Sequence, residues 1–441
     1  MVASVGTPRS TAARLVLRGA RWPGDMAIRD GLIEAIGEVA AEPDDRVLRC
    51  DGDIVTAGLV NTHHHLYQWM TRGRAVDCDL FGWLTELYPV WARLDVADVH
   101  AAALLGLSEL ALTGCTTAAD HHYLVPHGDD SVFDAIAEAA TAVGIRLHLA
   151  RGSMDLGESD GGLPPDAVVE DLDAILTSTE RVADRWHDGE RISVTVAPCS
   201  PFSVSPELLR ESAALARRRG LRLHTHLAET VDEQTDCVRR FGRRPLAVLD
   251  DLGWIAGDVW VAHGVHFDDA EIRRLGEAST GVAHCPSSNA RLGAGLCRVT
   301  DLEDAGVPVG LGVDGAASNE AGGLFAELRQ SLHTARQRNG RPATFGPADA
   351  LRLATEGGAR CLGRDDIGSL SPGCRADVAI WPAEDLADVS DPLAGLVLGP
   401  DRRARHVLVD GQAIVRDGAL VHGSIEQHRT QLARRARRLW S

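Results

Sequence analysis

Eight short apolar runs alternate with helix-like stretches through the middle of this chain, and that alternation restricts the fold more than any single residue does. The runs occupy positions 54–60, 116–120, 146–150, 192–197, 221–226, 259–263, 281–284 and 307–314. Between them, stretches such as 99–113, 131–143, 206–219 and 268–278 read as helices. Pro206 follows Ser205, a first-turn proline behind a candidate N-cap serine. Eight strands alternating with helices predict a (β/α)8 barrel of the TIM type, an α/β fold whose active sites gather at the C-terminal ends of the strands. His63 and His65 stand just after the first run, His226 ends the fifth, His263 ends the sixth and Asp314 ends the eighth. Residue types that bind metals therefore collect at one end of the predicted barrel.

The two ends of the chain read differently. Positions 15–17, 26–28 and 32–36 are strand-like, with a hairpin turn at Asp30-Gly31. Positions 377–381, 406–409 and 413–415 are strand-like too, with a second such turn at Asp410-Gly411. The expected organisation is a small β-sandwich domain built from both termini, 1–57 and 368–441, around a catalytic barrel at 58–367. A chain of 441 residues would suggest two or three domains by length alone, but parallel barrels run long as single domains.

The formal net charge of −18 argues against nucleic acid and anionic membranes as partners. Lysine is absent, so arginine supplies all the basic side chains. The nine cysteines are scattered and form no C-x-x-C pair, which suits free thiols in a cytoplasmic setting better than a disulfide framework. Positions 1–21 lack the continuous apolar core of a signal peptide, and no apolar run is long enough to span a membrane. At 429–440, Arg434, Arg435, Arg437 and Arg438 alternate with Leu432, Ala436 and Leu439; the expectation is a C-terminal helix docked on the acidic body, with contact to a membrane as the alternative.

The chemistry rests on His63-His64-His65. On an extended chain His63 and His65 share one face while His64 points back, which makes half of a metal site. A catalytic zinc or iron site needs a few N/O ligands and one open position, and His63, His65, His226 and Asp314 supply that set. Asp314 can also take a proton from the attacking water. Glu229 lies three residues beyond His226, where a carboxylate reaches substrate and not metal, the place for a proton shuttle. His263 can polarise the reacting centre. His64, His148, His224, His266 and His284 are structural or supporting candidates. His121 and His122 end the second strand, where they either line the pocket or fill the core. Gln68, His122, Cys199 and Trp83 are the candidate substrate contacts. Gly310-Leu311-Gly312-Val313-Asp314-Gly315 matches G-x-G-x-x-G, but it lies within a late strand and not in a first strand-to-helix turn, so it is no dinucleotide site.

The motifs Gly58-Leu59-Val60-Asn61-Thr62-His63-x-His65, His226-x-x-Glu229, Ala262-His263-Gly264 and His284-Cys285-Pro286-Ser287-Ser288-Asn289, with the late Asp314, resemble the amidohydrolase superfamily in its mononuclear deaminase branch. The resemblance covers nearly the whole chain. Within that branch, Leu80-Phe81-Gly82-Trp83-Leu84, Pro198-Cys199-Ser200-Pro201-Phe202 and Asp314-Gly315-Ala316-Ala317-Ser318-Asn319 are similar to the 8-oxoguanine deaminases and to hydrolases of hydroxylated s-triazines. The resemblance implies one Zn2+ per chain (or Fe2+), a small heterocyclic substrate, and a homodimer or higher oligomer. A carbamylated lysine bridge is ruled out by the absence of lysine. The expected activity is hydrolytic deamination of an aminated purine-like base, 8-oxoguanine or a guanine-like ring, with release of ammonia. The alternatives are an s-triazine amino- or chlorohydrolase using the same site, and a metal-binding scaffold without catalysis.

Overall fold

The computed structural model describes residues 13–440. Residues 1–12, which the sequence assigns to the small domain and to a chain start without a signal peptide, lie outside the described residues, as does Ser441. Eight parallel strands close into a barrel. In chain order they are β1 (Leu59–Asn61), β2 (Cys115–His122), β3 (Arg146–Ser153), β4 (Ile192–Pro198), β5 (Arg222–Leu227), β6 (Val259–His263), β7 (Gly281–His284) and β8 (Val309–Leu311). Beyond the barrel rim, Asp314–Gly315 pairs with His64–His65 and extends the β8–β1 neighbourhood upward.

The expected helix at 206–219 forms as Pro206–Arg219, with the Ser205 side chain accepting the Leu208 N–H. The helix expected from 99 begins earlier, as Val96–Leu112. Asp95 and Asp98 form a reciprocal cap there, so two aspartates do what Ser/Thr and Glu usually do.

The run at 54–60 does not form one strand. Ile54–Ala57 pairs antiparallel with Val378–Trp381, whereas Leu59–Asn61 pairs parallel with β2. Gly58 is the corner between them. A Cβ there would lie 2.2 Å from the Thr116 side chain, so only glycine lets the two backbones come this close. A four-stranded sheet from positions 15–49 and a five-stranded sheet from 54–57 and 378–420 enclose a separate core of Leu17, Met26, Ile28, Val55, Val378, Ile380 and Leu408. Residues from both ends of the chain thus meet in one sandwich.

The helix Ile425–Trp440 packs along Val96–Leu112. Arg435 binds both Asp95 and Asp98 at 2.6 Å, Arg438 also reaches Asp98, and Arg429 pairs with Glu109. Arg429, Arg435 and Arg438 of the last helix face acidic residues of the neighbouring helix, which is the docked arrangement, while Arg434 and Arg437 are exposed. Among the described residues no helix is long and apolar enough to cross a membrane.

Candidate active site

The strand ends bring the histidines together, and the backbone around them fixes which nitrogen carries the proton. A carbonyl oxygen cannot donate, so an imidazole nitrogen bonded to one must be the N–H. His65 Nδ1–H donates to the His121 carbonyl at 2.6 Å, and His226 Nδ1–H donates to the Cys199 carbonyl at 2.7 Å. His224 Nδ1–H donates to the Trp260 carbonyl at 2.9 Å, which leaves His224 Nε2 to accept His63 Nδ1–H at 2.9 Å. The consequence is common to all three residues: the Nε2 atoms of His63, His65 and His226 are bare lone pairs. Full burial disfavours a charge on each ring and lowers each pKa, so they stay neutral.

Asp314 closes the set. Its Oδ1 lies 3.5 Å from His63 Nε2 and 3.3 Å from His65 Nε2. Its Oδ2 accepts Ser288 Oγ–H at 2.5 Å and Ser318 Oγ–H at 3.2 Å. Burial alone would raise this carboxyl, but the field of His263, whose own pKa is raised, helps to hold it well below the usual range, as the carboxylate. Three buried lone pairs and one carboxylate with no proton among them form a donor set that fits a divalent transition metal. His63 Nε2 in particular is a fully buried nitrogen with no hydrogen-bond partner.

Glu229 and His263 stand beside this set. His263 Nε2 lies 3.5 Å from Glu229 Oε2, and His263 Nδ1–H donates to Asn289 Oδ1 at 2.9 Å. Burial pushes the Glu229 carboxyl up to about 7; His263 pulls against that shift, while the charges of Asp314 and Glu233 add to it. On His263 burial opposes the charged form, but Glu229, Asp314 and Asn289 outweigh it and the pKa rises. Ala228, His263 and Asp314 all have positive φ, at 54°, 74° and 60°. Non-glycine residues rarely adopt this conformation, and it persists where surrounding structure over-determines it.

These groups face one small cavity. His65, His226, Glu229, His263 and Asp314 form its polar floor, and Gln68, Trp83 and Cys199 are in its wall. Gln68 Oε1 is buried without a partner. Trp83 donates its indole N–H to the Ala317 carbonyl at 3.1 Å, so it offers the cavity a ring face. Burial pushes the Cys199 thiol up to about 12, so it lines the wall as a neutral group, while its carbonyl orients His226.

The structure does not bring His122 to the cavity. Side chains alternate along β2, so His121 points inward and His122 points the other way. There His122 Nε2–H donates to the Leu124 carbonyl at 2.8 Å, and the ring stands edge-on to Tyr67 and Phe133. His121 instead stands beside the candidate ligands, with ligand atoms of His63, His65, His121 and His226 all within 4.8 Å of one another. Its Nε2–H donates to the Ala197 carbonyl at 2.8 Å, so its Nδ1 is a bare lone pair, and it is unpartnered. Tyr123, Tyr88, Phe202 and Leu292 also line the cavity; none of them was among the candidate substrate contacts, although Phe202 lay in a quoted motif. Ser288 and Asn289 lay within a recognisable motif, but nothing in the sequence paired them with Asp314 and His263.

The amidohydrolase family model matches residues 54–414. The chain is 48% identical to the 8-oxoguanine deaminase of Pseudomonas aeruginosa, over 93% of this chain and 94% of that protein. It is 39% identical to the hydroxydechloroatrazine ethylaminohydrolase of Pseudomonas sp. strain ADP, over 80% of this chain and 77% of that protein. The fold matches the crystal structure of atrazine chlorohydrolase from Arthrobacter aurescens TC1 complexed with zinc, with a TM-score of 0.90 and 32% identity, covering 96% of this chain and 100% of that one.

Proposed function

The chain belongs to the amidohydrolase family, in its deaminase branch, and on that premise we propose that it hydrolytically deaminates an aminated purine-like base, 8-oxoguanine or a guanine-like ring, releasing ammonia. The observation that carries this reading is the pairing of a proton-free donor set with a protonatable Glu229 on one small cavity. His63, His65, His226 and Asp314 would hold one Zn2+, with Fe2+ as the other ion this donor set suits. The bound ion supplies Lewis acidity that activates a water molecule at neutral pH.

The chain's own residues do the rest. Asp314 accepts the proton of the attacking water, with its other oxygen held by Ser288 and Ser318. Glu229 donates a proton to a ring nitrogen, so that the amino-bearing carbon takes the oxygen without charge building up on the ring. His263, backed by Asn289, stabilises charge on the oxygen side. Asp314 then passes the water proton to the departing amine while the new O–H returns a proton to Glu229; collapse of the tetrahedral carbon to the carbonyl breaks the C–N bond and ammonia leaves. Gln68 reads the amide edge of the ring while Trp83 and Cys199 bound it. A cytoplasmic homodimer or higher oligomer belongs to the same reading; sedimentation of the purified protein tests the assembly.

The 39% identity to an ethylaminohydrolase of a hydroxylated triazine favours one second reading, release of an alkylamine from a triazine at the same site. Ammonia and alkylamine release by metal-loaded protein across guanine, 8-oxoguanine, isocytosine, pterins and aminotriazines separates the two. Turnover of the purine-like bases is the expected result. Alkylamine release without base turnover would exchange the readings, and no release from any ring would overturn both.

A further inference from the structure

Between β5 and the helix Val231–Phe241 the chain makes one abrupt turn, and Glu229 is in it. Ala228 takes the left-handed conformation there, which a residue with a side chain adopts at a cost. Glu233, in the first turn of the helix and wholly buried, reaches back over the turn. Its Oε1 accepts the Ala228 N–H at 2.9 Å and its Oε2 accepts the Glu229 N–H at 2.7 Å. Thr230 caps the helix in turn, accepting the Glu233 N–H at 3.3 Å. In an ordinary capping box the carboxylate would bond the N-cap amide itself. Here both oxygens go to the two amides before the cap, the second being that of Glu229.

No arginine bonds Glu233 among the described residues; both its oxygens are held by backbone amides. Burial raises its pKa, and the amides of Glu229 and Ala228 act against that rise. A buried carboxylate is costly, and apolar contacts would fill this space more favourably if filling were the only task.

We propose that Glu233 is the positioning residue for Glu229: by fastening the Ala228 and Glu229 amides to the first turn of the helix, it fixes the strained turn that aims the Glu229 side chain into the cavity. The inference rests on the reading of Glu229 as the proton donor.

Glu233→Gln tests it, because the amide keeps the shape and one acceptor but turns an NH2 group toward the other backbone N–H. The expected outcome is unchanged metal content, KM within about twofold of the parent, and a kcat lower by about 10- to 100-fold, the size of effect a misplacement near 1 Å produces. The decisive readout is a double-mutant cycle: in a Glu229→Gln background the same substitution should lower the residual kcat by less than about twofold. Should Glu233→Gln fail to fold, Glu233→Asp, one methylene too short to span both amides, carries the same cycle. An unchanged kcat in a folded variant overturns the proposal, and so does an equal fold-loss in both backgrounds, which would mean general support of the barrel rim. Full activity in Glu229→Gln alone would instead overturn the proton-donor reading.

Discussion

His65 Nε2 and His226 Nε2 stand 3.0 Å apart with no proton between them. Each ring has given its only N–H to a main-chain carbonyl, His65 to that of His121 and His226 to that of Cys199. Two lone pairs at this distance repel, and a cation between them turns repulsion into coordination. The main chain therefore sets the tautomers before any ligand arrives.

Metal removal should accordingly destabilise the protein as well as silence it. About one divalent ion per chain is expected by elemental analysis. A ligand present at a thousand times its Kd adds about 4 kcal/mol to the folded state. Chelation should therefore lower the melting temperature by several degrees, and Zn2+ should restore it. Two tightly held ions per chain would refute the single-site assignment.

Asp314→Asn should retain metal on the three histidines and lose kcat by about 100-fold or more. The amide cannot accept the water proton, although Ser288 and Ser318 can still hold the group in place. Full turnover with metal bound would move the base elsewhere.

Glu229→Gln should cost about 10²–10⁴ in kcat with metal content nearly unchanged, the range of a positioned acid. Metal loss would make Glu229 a ligand instead. The pH dependence has a definite sign. A carboxyl raised to about 7 by burial is protonated below that pH, and a donor must start protonated. In the parent protein kcat/KM should therefore fall as pH rises through about 7, approaching tenfold per unit beyond it. A profile that rises through the same range would mean that Glu229 enters the reaction as a base.

The convergence of the candidate ligands was legible because each sits at or just beyond the end of an apolar run and the barrel rule gathers such ends. The cavity wall was not, because Tyr123, Phe202 and Leu292 come from loops that follow three different strands. His122 shows how fine the margin is. The sequence places two adjacent histidines at one strand end, and only the parity of the pleat separates them: His121 faces the ligands and His122 faces Phe133. The run at 54–60 was read as one strand although the expected domain boundary, 57/58, fell within it; Gly58 divides it between a sandwich and a barrel. The start of the helix at Val96 was hidden by chemistry, since aspartates at both cap positions lack the usual Ser/Thr and Glu signature.

Substrate choice turns on Gln68 and the residue that gives it room. Gln68 Oε1 is buried and unpartnered at the cavity wall, so a ring that offers an amide edge satisfies it and a ring without one leaves it bare. Gln68→Ala should then reduce kcat/KM for the preferred base more than for analogues lacking that edge. Gly315 supplies an independent route to the same result. A Cβ at that position would fall 1.7 Å from Gln68 Oε1 and 2.0 Å from its Cδ, so Gly315→Ala must displace the amide. The displaced group is the far end of a flexible side chain, so the variant should fold. It should reproduce the substrate-selective loss of Gln68→Ala with metal content intact. Equal losses on all rings in both variants would place Gln68 in support of the metal loop. Selectivity in Gln68→Ala but not in Gly315→Ala would mean that the amide finds the same contact from a second rotamer.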